Sequence, residues 1–478
     1  MSTLESTAPL VVDLDGTLTS TDTLVESVLI LLKRQPWRLL QMAFWLLAGR
    51  AHFKEKVSAL VDLDVSGLPW RSDFVDWLVA QRAGGRRMVL ATAAHSRIAD
   101  AVSRHWSLFD DVLASSATNN LKGPRKLKAI QALLGDRFAY AGDSTADLPI
   151  WRAAESAVLV GASPQLSAQV QSITRVEAAF PSGPTGLRTW LKALRVHQWL
   201  KNLLLFVPLF TAFEGVQWRD WLLVVVAFGA FSLAASATYV LNDLWDLESD
   251  RRHPRKRLRP FASGALSLSS GIAVALLSLA VAFALSALVS QGFSAMLVGY
   301  VVLTTLYSLV FKTYVLMDVL MLAMLYTYRV IAGSIAVAIE VTPWLFAFSV
   351  FTFFSLALVK RCAELVLLES AGRTASHGRD YRTEDLVVLW PLGIAASLCA
   401  VVVFGLYVAT PATEARYANV QWLWLMAPAL LYWFSRLWIK TVRGEMHDDP
   451  IVFAVRDRGS RLVVIAMLLL VALAHWRA

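Results

Sequence analysis

Cysteine is almost missing from this chain. Cys362 and Cys399 are the only two in 478 residues, too few for a disulfide framework and without the spacing of a zinc site. Charge is scarce as well: 17% of residues are Asp, Glu, Lys or Arg, whereas 56% are hydrophobic. Soluble domains run at about 45–50% apolar, so a fully water-soluble protein is not expected, and the composition excludes disordered and fibrous classes. The opening MSTLESTAPL lacks the basic segment and apolar stretch of a secretory leader, so none is expected there. What the chain has in excess is Trp, 18 residues, a side chain favoured at membrane interfaces. Basic charge is also in excess, 45 Lys+Arg against 36 Asp+Glu for a net +9. The length allows about three ordinary domains.

The average conceals two unlike halves. Residues 1–188 carry 20 basic and 18 acidic residues, the charge density of a soluble domain, and the remaining 290 carry 25 and 18, clustered between long apolar runs. The junction AAFPSGPTGLR (178–188) has the punctuation of a linker. The expected division is a first domain over 1–180, a linker over 181–188 and a membrane domain over 189–478. Nine stretches in the second half are long enough, or nearly so, to cross a bilayer: 199–213, 221–241, 268–289, 293–310, 316–339, 343–361, 386–409, 420–439 and 461–475. With residues 1–188 in the cytoplasm, only Arg219, Arg416 and Arg477 fall outside, a strong positive-inside bias. The expected topology is N-terminus in and C-terminus out, in the inner (plasma) membrane of a bacterial-type cell. The +9 then reads as topology and phosphate handling, and no nucleic-acid partner is expected.

In the first half, PLVVDLDGTLTSTDTL is an apolar strand running into a polar turn, so Asp13 and Asp15 project from its carboxyl end, where ligands bind in parallel α/β sheets. A second strand, RMVLATAAHS, is expected to end at Thr92, and a third, RFAYAGDSTADLP, at Asp143, with Asp147 four residues on. Between them GPRKLKAIQALLG begins a helix with Lys126 near its start.

DxDGT, a strand-end Thr, a Lys and GDxxxD, in that order over most of residues 8–175, resemble the haloacid dehalogenase (HAD) superfamily of phosphohydrolases. The resemblance implies an α/β fold, a Rossmann-like parallel sheet with a small helical cap. It implies Asp13 as the nucleophile that becomes an aspartyl phosphate and Asp15 as the general acid/base. Thr92 and Lys126 would hold the phosphoryl group, with Lys122 as the rival lysine. Asp13, Asp15 through its carbonyl, and Asp143 would bind Mg2+, supported by Asp147. A carboxylate can form a covalent phosphoryl intermediate, and a cation must offset the meeting of two anions. The apolar insert at 28–56 (VLILLKRQPWRLLQMAFWLLAGRAHFKEK) is either the core of the cap or an interfacial helix resting on the bilayer.

In the second half, YVLNDLWDLESDRRHPRKRLRPFASG (239–264) sets Asp243, Asp246 and Asp250 at i, i+3 and i+7, one face of a helix. Three carboxylates so placed repel one another unless a cation binds, and oxygen ligands suit Mg2+. The basic run that follows would meet the rest of a polyanion. NDxxDxxxD followed by HPRKRxRPxASG resembles the UbiA superfamily of intramembrane prenyltransferases, as do LRVHQWLKNLLLFVPLF (194–210) and YSLVFKTYVLMDVLMLAMLYTYRVIAG (307–333). This implies an all-α polytopic domain of about nine helices. The aromatic prenyltransferases carry a second DxxxD, but this chain has Asp318 and then Leu322. With KNxxxFxP, HPxKRxRP and GEMxxDPxxFAxRDR (444–458), it resembles instead the decaprenyl-phosphate phosphoribosyltransferase branch, which uses phosphoribosyl diphosphate (PRPP) and a polyprenyl phosphate.

That resemblance implies Asn242, Asp243, Asp246 and Asp250 around Mg2+ and PRPP, one metal site in each domain. Lys201 and Lys312 are candidate phosphate contacts, with Tyr307 beside the pocket and Arg257 and Arg259 the basic contacts of the loop. Arg329, inside an apolar span, is a functional signal or one half of an ion pair, for example with Asp318. Lys360, Arg361 and Glu364 begin an inner loop and could line the entrance. The leading expectation is a bifunctional enzyme that moves 5-phosphoribose from PRPP to a polyprenyl phosphate and then removes the 5-phosphate. The alternatives are a 4-hydroxybenzoate-like aromatic prenyltransferase with an unrelated or regulatory phosphatase, and a transporter or scaffold.

Overall fold

A computed structural model describes residues 8–116, 119–183, 186–212, 216–372, 374, 379–446 and 450–476. Residues 1–7, Pro184 and Thr185 of the linker, His447 to Asp449 of the late motif, and Arg477 lie outside the described residues. The chain packs as two compact units, one of residues up to 194 with 239–276, the other of 195–238 with 277 onward.

In the first unit six parallel strands form one sheet, β1 (Leu10–Val12), β2 (Met88–His95), β3 (Asp111–Ser115), β4 (Ala139–Gly142), β5 (Ser156–Val160) and β6 (Arg175–Phe180), in the order β3-β2-β1-β4-β5-β6. The four inner strands β2, β1, β4 and β5 are buried, near-continuous apolar runs because helices cover both faces. On one face Leu10, Val12 and Leu90 pack with Phe74 and Leu78; on the other Val11 and Val89 pack with Ile130, Tyr140 and Trp151. Strand order reverses at β1, with Val12 opposite Leu90 on one side and Ala141 on the other, which opens a crevice at the carboxyl ends. β2 does not stop at Thr92; it continues to His95, with a register shift against β3 between Ala91 and His95.

The insert after β1 folds as three helices, α1 (Thr23–Arg34), α2 (Leu39–Leu47) and α3 (Arg50–Leu60). Asp22 caps α1 by accepting from the Leu24 and Val25 amides. Pro36 bars α1 from running on. The cap has a core of its own, Ile30, Leu31, Met42, Val57 and Val61. Helix α4 (Pro124–Leu134) follows later, opened by its proline.

Seven helices among the described residues are long and apolar enough to cross a membrane: α5 (Trp218–Trp245), α7 (Leu268–Val289), α8 (Gln291–Leu309), α9 (Met317–Val337), α10 (Pro343–Ser370), α11 (Leu386–Val408) and α12 (Arg458–His475), with the short α6 (Leu247–Arg252) between the first two. The chain is an integral membrane protein. The two other expected spans are broken. Residues 196–206 form a 3-10 segment and 207–212 a short α-helix, whose second residue is Pro208; the stretch near 420–439 divides into Gln421–Trp424 and Met426–Val442, with Pro428 in the first turn of the latter. A proline lacks the amide that would continue a helix through it. α10 runs beyond the expected end at 361, so Arg361 and Glu364 are helical residues, not loop residues. The second unit packs around α9 and α10, with Val319, Phe353, Leu358 and Cys362 in its core.

Candidate functional site

Asp13 stands at the first position after β1, its amide held by the Ala141 carbonyl at 3.0 Å. Its Oδ1 accepts from the Leu14 amide at 2.7 Å and pairs with Lys126 Nζ at 2.8 Å. Lys126 is buried and also donates to the Tyr140 hydroxyl at 2.8 Å, which donates to Asp147 Oδ1 at 2.9 Å. Lys126 is therefore the lysine against Asp13, and Lys122 is exposed. Thr92 is fully buried on β2, next to β1, its hydroxyl accepting from the Ala94 amide.

Carboxylate atoms of Asp13, Asp143 and Asp147 lie within 4.8 Å of one another, the one such cluster among the described residues. Burial, with Asp13 and Asp147 beside it, pushes the Asp143 carboxyl up to about 7. Burial likewise raises Asp13, with Lys126 opposing. Crowded carboxylates with raised pKa values lack positive charge, and a hard divalent cation would supply it; three oxygen donors in this space fit Mg2+. Asp15 is separate. Its Oδ1 accepts from the Thr23 amide at 2.8 Å, at the start of α1, and burial, then Asp22, push its carboxyl up to about 7.

Gly16 makes this packing feasible. Its φ is +82°, and a Cβ there would sit 2.2 Å from Asp143 Oδ2. Gly16→Ala should therefore displace Asp143; if the cluster hydrolyses phosphate esters, the rate on p-nitrophenyl phosphate should fall by about ten-fold or more in the full chain, and an unchanged rate would show that Asp143 has room to move.

Three side chains here escaped the sequence reading. Tyr140 bridges Lys126 and Asp147. Arg71 donates to the Gly16 carbonyl. Lys54 of α3 reaches the Ala93 carbonyl at 2.6 Å and Asn120 at 3.0 Å, its pKa lowered by burial but held up by Asp15 and Asp22. None of the three carried a local signal, because β4 is buried on both faces and the contacts join segments apart in sequence.

The Asp-rich segment belongs to the same compact unit. The three carboxylates do not ride one uninterrupted helix: α5 ends at Trp245, and Asp246, at φ −92° and ψ 12°, leads into α6. Arg259 Nη1 donates to Asp243 at 3.0 Å and to Asp250 at 2.6 Å, while Asn242 donates to Asp246 at 3.3 Å. Asp243 and Asp250 are buried. Among the described residues Asp250 Oδ1 has no hydrogen-bond donor, although Lys256 Nζ lies 3.9 Å away. An orphaned buried oxygen beside two more carboxylates fits a cation. Arg259 is the loop base directed at the carboxylates, whereas Arg257 is exposed.

The same segment is fastened to the helices that follow β1. Arg251 makes a bidentate pair with Glu26 of α1, both side chains nearly buried, and Glu26 also accepts from Thr21 at 2.6 Å. Arg252 pairs with Asp64 at 2.9 Å, and Lys33 donates to the Trp245 carbonyl at 3.0 Å.

The second unit holds a buried polar cluster. Arg361 pairs with Asp318 and with Glu364, Tyr381 donates to Asp318 at 2.6 Å, and Arg379 donates to Glu364 at 3.0 Å. Tyr307 lies beside this cluster. Arg329 is not the partner of Asp318. It donates to Asn202 at 2.9 Å and the Tyr300 hydroxyl at 3.0 Å, and its guanidinium stacks over Tyr300 and Tyr326. Asp318 lies 11 residues, about three turns of α9, from Arg329, and Arg361 already occupies its carboxylate. Lys201 is buried with Nζ over the Tyr326 ring, and Lys312 and Lys360 are half-buried.

Residues 203–456 match the UbiA prenyltransferase family, and residues 10–152 match the haloacid dehalogenase-like hydrolases. The uncharacterized protein y4nM of Sinorhizobium fredii is 37% identical over 95% of this chain and 88% of its own length. Nodulation protein NoeC of Azorhizobium caulinodans is 35% identical over 61% of this chain and 94% of its own. A decaprenyl-phosphate phosphoribosyltransferase of Corynebacterium glutamicum is 31% identical over 47% of this chain and 69% of its own.

Proposed function

Because the chain belongs to the UbiA prenyltransferase family and carries a haloacid dehalogenase-like hydrolase domain, we propose that it is a bifunctional membrane enzyme acting on PRPP and a polyprenyl phosphate. The transferase moves 5-phosphoribose onto the lipid phosphate, and the hydrolase removes the 5-phosphate to leave polyprenyl-phosphoryl ribose. The observation that carries the choice of donor is the second acidic motif. It holds Asp318 without a partner at Leu322, and Asp318 is bound by Arg361 and Tyr381. A second pair of carboxylates for an isoprenyl diphosphate is thus missing at that motif. The likeness to the Corynebacterium decaprenyl-phosphate phosphoribosyltransferase supports the same donor.

In the transferase, an oxygen of the lipid phosphate attacks C1 of the ribose, the C1–O bond breaks, and diphosphate leaves with the electron pair. A lipid phosphate is anionic at neutral pH, so no general base is needed; the site must orient two anions and exclude water. Asn242, Asp243, Asp246 and Asp250 would hold Mg2+ and the donor diphosphate, and Arg259 keeps Asp243 and Asp250 together. Lys201, Lys312, Arg257, Arg329, Tyr307 and Lys360 are the proposed substrate contacts. In the hydrolase, Asp13 attacks phosphorus, Asp15 gives a proton to the leaving 5-oxygen and then takes one from water, and Lys126 and Thr92 hold the phosphoryl oxygens. Asp13, Asp143 and Asp147, with Asp15 through its backbone carbonyl, would hold Mg2+. When bound, magnesium in either cluster neutralises phosphate charge and stabilises the departing or transferring oxygens. Both sites face the cytoplasm, and fusion raises the effective concentration of the intermediate at the hydrolase.

The test gives the purified full chain labelled PRPP, Mg2+ and a polyprenyl phosphate. The expected product is a labelled lipid lacking the 5-phosphate. No labelled lipid, together with reaction of 4-hydroxybenzoate and a polyprenyl diphosphate, would replace this reading with an aromatic prenyltransferase.

A further inference from the structure

The cap buries only part of its apolar surface. Met42 and Trp45 of α2 turn into the cap core, but Leu40, Phe44 and Leu47, one helical face at i, i+4 and i+7, are 75%, 71% and 84% exposed. Trp37, Leu39 and Leu46 extend the same surface, each more than half exposed. So many large apolar side chains on one short helix are unusual on a surface facing water.

The position of this helix identifies what covers it. α1, which leads into α2, ends with Lys33 donating to the Trp245 carbonyl, the last residue of the membrane-crossing α5. The connection from α5 to the next membrane-crossing helix, α7, is tied to the same cap region by Arg251–Glu26 and Arg252–Asp64. The cap is therefore anchored to the segment that joins two spans, at the level where they leave the hydrocarbon. Charge agrees: Lys33, Arg34, Arg38 and Arg50 flank the apolar face, and Glu55 is the one acidic residue in 28–56. Basic residues bordering exposed Trp, Phe and Leu are what an anionic lipid surface attracts.

We infer that α2 lies in the lipid interface, with Leu40, Phe44 and Leu47 among the acyl chains and the flanking bases at the headgroups. The Asp13 site is thereby held beside the bilayer, so its substrate class is a phosphate monoester on a lipid-linked sugar. This last step rests on the function proposed above, whereas the seating of α2 does not.

The experiment uses the full chain in nanodiscs of phosphatidylethanolamine and phosphatidylglycerol. Exposed Cys399 is replaced by Ser, and buried Cys362 is left in place. A nitroxide is attached at Leu40→Cys, at Phe44→Cys or, as a control at the amino end of β4, at Arg137→Cys. Expected is oxygen-dominated relaxation at 40 and 44 and nickel-dominated relaxation at 137. Nickel access at 40 and 44 equal to the control would overturn the inference, as would shielding from both reagents, the mark of a second copy or other protein on this face. None of these readings needs catalysis, so they stand apart from the fate of the proposed reaction. A second arm compares hydrolysis of the lipid-linked phosphate and of p-nitrophenyl phosphate in the Leu40→Asp, Phe44→Asp double variant. The lipid-linked substrate should slow by about ten-fold with the soluble one unchanged; equal rates or equal losses would overturn the assignment of a lipid-linked substrate.

Discussion

Asp13→Asn should slow dephosphorylation by about a thousand-fold or more while leaving phosphoribosyl transfer near its original rate. An amide is the same size as the carboxylate but is not a nucleophile toward phosphorus, and it forfeits the pair with Lys126. The two reactions then separate on one plate: labelled PRPP yields a lipid that keeps its 5-phosphate, and treatment with an added phosphatase converts it to the product of the unaltered chain. Failure of the phosphorylated lipid to accumulate would place that step on another group, or show that transfer never makes it. Transfer lost along with hydrolysis would mean that the variant had disturbed more than the nucleophile, which circular dichroism and retention of p-nitrophenyl phosphate binding would reveal.

Arg361→Met should strongly destabilise the second unit. Arg361 and Asp318 are 1% and 0% exposed in their side chains, and removal of one partner leaves a buried charge that costs about 3–5 kcal/mol. Asp318 keeps the Tyr381 hydroxyl, which offsets part of this. The double variant Asp318→Asn, Arg361→Met removes both charges and should recover much of the loss, because a buried pair gains little over a neutral replacement. Denaturant unfolding in mild detergent, followed by Trp fluorescence, measures both. Equal destabilisation of the single and double variants would locate the cost in lost packing, not in the orphaned carboxylate.

Three of the six strands were legible because each is a short apolar run closed by a functional turn; LVVDLDG and FAYAGD announce both the strand and the residues at its tip, whereas β3, β5 and β6 carry no such turn. Membrane helices were legible from length and hydropathy, except where Pro208 and Pro428 divide an apolar stretch that composition alone reads as one. Partners were not legible. Nothing local marks Arg259, among the bases of 251–259, as the one that bridges Asp243 and Asp250. Nor does any local pattern tell that Arg329 turns to Asn202, 127 positions earlier. Gly333 marks where that partnership is built: a Cβ there would sit 2.1 Å from the Leu205 carbonyl oxygen, so the backbone beside Asn202 approaches α9 more closely than a side chain would permit. The break at Asp246 was hidden for a related reason, since helical spacing of three acids says nothing about whether the helix persists between them.

The pair Arg251–Glu26 has a consequence for how this gene can be divided. Residues 181–188 invite a cut that yields a soluble hydrolase and a separate membrane enzyme. Such a cut severs the polypeptide but leaves the ties through Arg251, Arg252 and Lys33 in place. Expressed alone, the hydrolase fragment would carry a Glu26 designed for burial and now facing water without its arginine. Expressed together, the two fragments possess a docking surface already shaped for each other. In this chain the covalent linker is the least informative of the connections between the halves.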